Sequence, residues 1–157
     1  MIRAMQAPDK GPVLGIVRAT GFFTDAEVEV AEELIDVYLG RPDQKDYRIE
    51  VVEDEAGAVA GYATWGPTPL AEGAYDIYWM AVAPSAQGQG LGRALVRRIE
   101  EEVRARAGRV ILIETSSQPK YEATRRFYVN LAYREVARVP DFYREGDDRV
   151  IYAKYFR

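Results

Sequence analysis

The sequence predicts an α/β or α+β chain with one sheet covered by helices, and three observations carry that prediction. Apolar runs of strand length recur at Tyr47–Glu53, Ala58–Trp65, Tyr75–Val82 and Val110–Thr115. Longer segments between them space their apolar residues at the helical period, and strands interleaved with helices on this scale pack in layers around a sheet. Finally, the run Gln87-Gly88-Gln89-Gly90-Leu91-Gly92-Arg93 joins an apolar strand to a helical pattern through glycine. No repeat, low-complexity tract or linker interrupts 1–157, which therefore reads as a single domain.

Taken in order, Ile2–Met5 is a short first strand, and Lys10–Thr20 is a helix with Val13, Leu14, Ile16 and Val17 on its inner side, ending at Gly21. Thr24 followed three residues later by Glu27 has the form of a capping box, and Val28, Ala31, Leu34, Ile35 and Tyr38 then form the apolar face of a helix that Gly40 and Pro42 stop. Tyr47–Glu53 and Ala58–Trp65 pair as a hairpin across Asp54-Glu55-Ala56-Gly57, and Gly66–Gly73 is a loop. Tyr75–Val82 is the central strand, Leu91–Ala107 a long helix closed by Gly108, and Val110–Thr115 a buried strand. Tyr121–Leu131 follows Pro119 as a helix, and strands Tyr133–Val139 and Arg149–Phe156 flank a loop at Pro140–Asp148.

Composition excludes several chemistries. There is no Cys and no His, so disulfides, a thiolate nucleophile, an imidazole base and a Cys/His zinc site are all ruled out. Acid–base work must come from carboxylates, Tyr, Lys or water, which suits direct transfer between two substrates and not a cysteine or Ser–His acyl-enzyme route. A net charge of −4 gives no support for nucleic-acid binding. No apolar run approaches the ~20 residues of a membrane span, and Met1–Gly11 lacks a signal-peptide core. A cytoplasmic location is expected.

A glycine-rich turn between strand and helix directs backbone N–H groups at an anion, because the first turn of a helix has donors without intrahelical partners and the dipole favours negative charge there. Spacing separates the possible phosphate binders. A Walker loop needs Gly-Lys-Ser/Thr, which is absent. A dinucleotide fingerprint counted from Gly88 would need its third glycine where Arg93 stands, although Glu114 lies about where a ribose-binding acid belongs. The pattern that fits is Gln/Arg-x-x-Gly-x-Gly/Ala, present as Gln87, Gly90 and Gly92.

That pattern resembles the pyrophosphate loop of the GNAT superfamily of acyl-CoA-dependent N-acetyltransferases. The context agrees: Trp79-Met80-Ala81-Val82-Ala83-Pro84 is similar to the strand that precedes the loop, and Phe127-Tyr128-Val129-Asn130-Leu131-Ala132-Tyr133 to the family's Phe/Leu-Tyr-x-x-x-Gly-Phe/Tyr signature. The resemblance covers residues 50–157. It implies a central, mixed and mostly antiparallel sheet flanked by about four helices, in which the parallel pair Tyr75–Val82 and Val110–Thr115 splays apart.

It implies acetyl-CoA as co-substrate and no metal. Gln87, Gly88, Gln89, Gly90, Leu91, Gly92 and Arg93 would hold the pyrophosphate, and main-chain groups of Met80, Ala81 and Val82 the acyl carbonyl and pantetheine amides. Tyr128 would protonate the departing thiolate, as a Tyr that is neutral at pH 7 is able to do. Members of the family commonly carry Asn seven residues before this Tyr and Ala four before it; Tyr121 and Thr124 stand there instead, so Tyr121 takes the position of a pantetheine contact.

Two carboxylates compete for the role of base. Strict alternation along Tyr75–Val82 puts Asp76, Tyr78, Met80 and Val82 on one face, with Tyr75, Ile77, Trp79 and Ala81 on the other, and a carboxylate in an apolar strand needs a partner or a task. Glu114, near the end of a buried strand, is the other, with a hydrogen-bonded anchor for neighbouring backbone or for Arg125 as its structural alternative. Phe22, Phe23, Trp65, Trp79, Tyr78 and Tyr143 are either an aromatic acceptor groove or core. The loop 141–148, with carboxylates at 141, 145, 147 and 148, is either a solvated hairpin end or an attractor of a cationic amine. The expected reaction moves acetyl from acetyl-CoA to a primary amine of a small molecule or a protein. A non-catalytic acyl-CoA-binding module is the alternative, a nucleotide binder a distant third, and a homodimer is left open.

Overall fold

The strand Val59–Pro67 buries every residue from Ala60 to Gly66, which requires cover on both faces. The computed structural model, which describes residues 1–157, supplies that cover with four helices around a seven-stranded sheet. In chain order the elements are β1 (Ile2–Ala4), α1 (Lys10–Ala19), α2 (Asp25–Gly40), β2 (Arg48–Glu53), β3 (Val59–Pro67), β4 (Ala74–Val82), α3 (Leu91–Ala105), β5 (Val110–Ser116), α4 (Glu122–Asn130), β6 (Arg134–Arg144) and β7 (Asp147–Tyr155). Strands lie in the order β1-β2-β3-β4-β5-β7-β6. All neighbours are antiparallel except β4 and β5. No helix is long and apolar enough to cross a membrane.

Two cores form on opposite faces of the sheet. One gathers Val13, Leu14, Val17 and Ile35 from α1 and α2 against Ile49, Val51 and Tyr62; the other gathers Leu95, Val96, Ile99 and Val103 from α3 with Tyr128 against Ala63, Trp65 and Ile111. At the start of α2, Glu27 N–H donates to Thr24 Oγ1 at 3.2 Å and Thr24 N–H to Glu27 Oε1 at 3.1 Å, which is the expected capping box.

Two features of the sheet shape the site. The parallel pairing of β4 with β5 runs only from Ala74 opposite Val110 to Ile77 opposite Ile113. Beyond that point β4 follows β3 and β5 follows β7, so the sheet opens into a wedge. Secondly, β4 carries an extra residue at Tyr78, because Trp65 pairs with Ile77 while Thr64 pairs with Trp79. The bulge corrects the strict alternation expected for β4. Ile77 and Met80 both face the α3 core, while Trp79 and Ala81 face the α1–α2 core.

The end of the chain also departs from expectation. Residues 140–144 and 147–148 are strand and not loop, with the turn confined to Glu145 and Gly146. Every β6 residue is exposed, so no alternation marks the strand in the sequence, and Pro140 is tolerated because β6 is an edge. Asp148 Oδ1 accepts the Asp141 N–H at 3.0 Å and Asp141 Oδ1 the Gly146 N–H at 2.7 Å, closing the irregular hairpin.

Candidate active site

The wedge between β4 and β5 is the mouth of a cleft of about 410 Å³. Ile77–Met80 and Ile113–Ser116 line it from the two strands, Phe22 and Phe23 from the α1–α2 turn, Tyr121, Thr124 and Tyr128 from the α4 region, and Tyr143 from β6.

Tyr128 is 6% exposed and reaches this cleft from the α3 core. Its ring packs against Phe127, Tyr133 and Tyr152 with centroid separations of 5.3, 6.2 and 6.4 Å, and its hydroxyl bonds to no protein group. Burial pushes the phenol well above its ordinary pKa, so it is a neutral donor at pH 7. The chemistry open to it is donation of one proton or one hydrogen bond into the cleft.

The glycine run lies at the entry to α3. Gly88 and Gly90 adopt φ of 80° and 81°, a region that costs a side-chain-bearing residue strain. Gly90 caps the helix, whose first backbone bond is Ala94 N–H to Gly90 O at 3.0 Å. None of the N–H groups of Gln87, Gly88, Gln89, Gly90, Leu91, Gly92 and Arg93 donates within the chain. A row of free donors at a helix N-terminus is a fit for an anion, and a Cβ at Gly88 or Gly90 would stand in open space over it. At Gly92 the constraint is internal: a Cβ would lie 3.2 Å from Phe127 Cζ, so this glycine lets α3 sit close to α4. Gln87 Nε2 donates to Val82 O at 3.3 Å, tying the loop to the end of β4. Met80 lines the cleft, the Ala81 side chain points into the α1–α2 core, and Leu91 packs on the α3 core while Arg93 is exposed.

The two competing carboxylates sit apart. Asp76 accepts from Thr68 Oγ1 at 2.7 Å, outside the cleft, and no longer shares a face with Met80. Glu114 lines the cleft, with its carboxylate ion-paired to Arg149. Arg125 is not its partner; that guanidinium donates to Ser116 O at 2.8 Å and Gln118 O at 2.9 Å. Tyr121 lines the cleft and is tied to the α1–α2 turn, its hydroxyl donating to Phe22 O at 3.1 Å. Of the aromatic set, Trp65 is core, 1% exposed, whereas Phe22, Phe23, Tyr78, Trp79 and Tyr143 line the cleft.

Asp147 was hidden within the acidic stretch 141–148. It is 3% exposed and faces the cleft. Its Oδ1 accepts from Ser116 Oγ at 2.5 Å and Ser117 N–H at 3.3 Å. Nothing in local sequence separates it from its solvated neighbours.

The Acetyltransferase (GNAT) domain family matches residues 45–135, more than half of the chain, from β2 through α4 to the start of β6, and includes both the glycine run and Tyr128. The chain belongs to the GNAT acetyltransferase family. A solved GNAT structure from Desulfovibrio desulfuricans, itself described as a candidate acetyltransferase, is 43% identical, with a TM-score of 0.93 over 99% of this chain and 98% of that one. The IAA acetyltransferase of Azospirillum brasilense is 34% identical over 115 residues, 64% of this chain and 71% of that protein. An aminoglycoside 6′-N-acetyltransferase solved with coenzyme A has the same fold, at 19% identity and a TM-score of 0.77 over 99% of this chain and 96% of its own. The GNAT fold of this chain is thus the mixed sheet with one splayed parallel pair, and its activity is that of an acyltransferase.

Proposed function

We propose that this GNAT chain moves an acetyl group from acetyl-CoA to a primary amine by direct attack, with residues 1–157 acting as one domain in the cytoplasm. The observation that carries this reading is the row of unpartnered N–H groups from Gln87 to Arg93, in a loop tied to the end of β4, the strand whose Met80 lines the same cleft as Tyr128. The donors and the open space over Gly88 and Gly90 suit a pyrophosphate, and the fold-mate solved with coenzyme A supports the choice of carrier.

Acetyl-CoA supplies the activated thioester. Backbone groups of Met80 and Val82, beyond the last β4–β5 pair, hold the carbonyl oxygen and the amide-bearing arm, because peptide groups without a sheet partner seek one. As negative charge builds on that oxygen, a fixed N–H stabilises it. The amine nitrogen bonds to the carbonyl carbon and the carbon–sulfur bond breaks. Tyr128 gives its proton to sulfur, and Glu114, through water, takes the proton the amine gives up. Asp76, bonded to Thr68 outside the cleft, serves the β3–β4 connection.

Thermal shift followed by turnover tests this. Acetyl-CoA should raise the melting temperature by mass action, ADP and NAD much less. Thiol release over a panel of amines should then reveal an acceptor. Stabilisation without turnover would leave an acyl-CoA-binding module, and a preference for NAD would remove the carrier.

A further inference from the structure

Three carboxylates line the cleft on the acceptor side, and they differ in what occupies them. Glu27 spends one oxygen in the α2 capping box, and Glu114 is paired with Arg149. Asp147 is held on one side only. Ser116 Oγ and the Ser117 N–H both bond to Oδ1, and Oδ2 accepts no hydrogen bond although the residue is 3% exposed. That oxygen is not sealed off but open on the cleft side, and a carboxylate set this deep gains when a cation or donor arriving there completes it.

The surroundings say what kind of donor fits. Arg144, its partner across the hairpin, and Lys120 both line the cleft, but they are exposed and neither bonds to Asp147. Phe22, Tyr121 and Tyr143 frame the same space with ring surface. The phenols of Tyr121 and Tyr143 are pushed up, first by burial and then by neighbouring carboxylates that include Asp147, which places its negative field within that ring frame.

Building on the acetyl-transfer reading above, we propose that Asp147 Oδ2 is the docking point for the acceptor's ammonium group, and that the acceptor is an arylalkyl or similarly apolar primary amine whose body lies against Phe22, Tyr121 and Tyr143. The Ser116–Ser117 pair fixes the carboxylate so that its free oxygen faces the incoming nitrogen. Aromatic faces then take the apolar part of the amine and add to attraction of its charge. Asp147 acts in binding, and Glu114 remains the group that takes the proton.

Calorimetric binding of 2-phenylethylammonium to the CoA-loaded protein tests this without turnover. Asp147→Asn keeps an oxygen for Ser116 and Ser117 and replaces only the free one, so it should weaken binding at least about tenfold, the scale of a charged hydrogen bond. Glu145→Gln, an exposed neighbour in the turn, should bind as wild type. Should Asp147→Asn fold poorly, the wild type still decides: 2-phenylethanol, the neutral isostere, should bind at least about tenfold more weakly than the ammonium. Equal binding of ammonium and alcohol, equal binding by wild type and Asp147→Asn, or no binding of the ammonium to wild type overturns the proposal. Thiol release is read separately: binding that depends on Asp147 without turnover counts against acetyl transfer and leaves the docking assignment standing.

Discussion

The Tyr133 hydroxyl donates to Glu100 Oε1 at 3.1 Å inside the protein, and Lys154 Nζ reaches the same oxygen at 2.9 Å and Leu131 O at 3.0 Å. This cluster joins α3, β7 and the turn after α4, where the Tyr128 carbonyl accepts the N–H groups of Leu131 and Tyr133. It thereby fixes the end of the helix that carries Tyr128. Lys154→Met should remove the only cation on Glu100 and cost about 3 kcal/mol, as expected when one member of a buried pair is lost. Urea unfolding measures this; a loss below about 1 kcal/mol, the worth of an ordinary hydrogen bond, would make the cluster a bystander.

Tyr128→Phe should lower turnover by about a hundredfold or more, the usual contribution of a positioned acid, with the KM for acetyl-CoA little changed. Its hydroxyl bonds to no protein group, so the melting temperature should hold or rise. Unchanged turnover would take Tyr128 out of the acid role.

Gly90→Ala and Gly57→Ala form a matched pair. Both glycines have left-handed φ, 81° and 83°, and the space a Cβ would enter is open at each. Each substitution should cost about 1 kcal/mol of stability from backbone strain. Only Gly90→Ala should raise the KM for acetyl-CoA, because Gly57 lies in the β2–β3 turn, away from the row of free N–H groups. A similar KM in both variants would mean that this backbone does not approach the phosphates.

Glu50 gives a pH signature. Burial pushes its carboxyl above the usual range, and Arg98, 3.8 Å away and exposed, offsets this only in part. A raised folded pKa means that the fold prefers the protonated form, so the wild type gives up stability as pH rises through that value. Glu50→Gln has no such loss. The two stabilities should converge below the ordinary carboxylate range and separate in favour of Glu50→Gln towards pH 7. Parallel curves across that window would assign Glu50 an ordinary ionisation.

Much of this was legible in the chain because it rests on short-range patterns. Thr24 and Glu27 cap α2 as their spacing requires, and Gly88 and Gly90 take the positive φ that only glycine adopts cheaply. The splay of β4 from β5 followed from family resemblance and not from periodicity. The first half of β6 reads as strand, but its extension over 140–144 reads as loop, because an edge with both sides wet has no alternation to read and Pro140 looks like a break. The Tyr78 bulge escaped it because one extra residue changes the faces of a strand without changing its composition.

By itself the sequence determined the chemistry available: with neither His nor Cys, carboxylates and tyrosines are left for proton transfer, and a glycine turn before an amphipathic helix makes an anion seat. Only the tertiary structure decided which carboxylates meet in the cleft. Asp76 and Glu114 stand on adjacent strands, yet the bulge and the wedge leave one outside and one within, while Asp147 arrives at the start of β7, just beyond the last β5–β7 pair of Ser116 with Arg149. The physical reason is that a side chain's neighbours across a sheet are set by register and strand order, and these come from the packing of the whole chain, which local sequence does not encode.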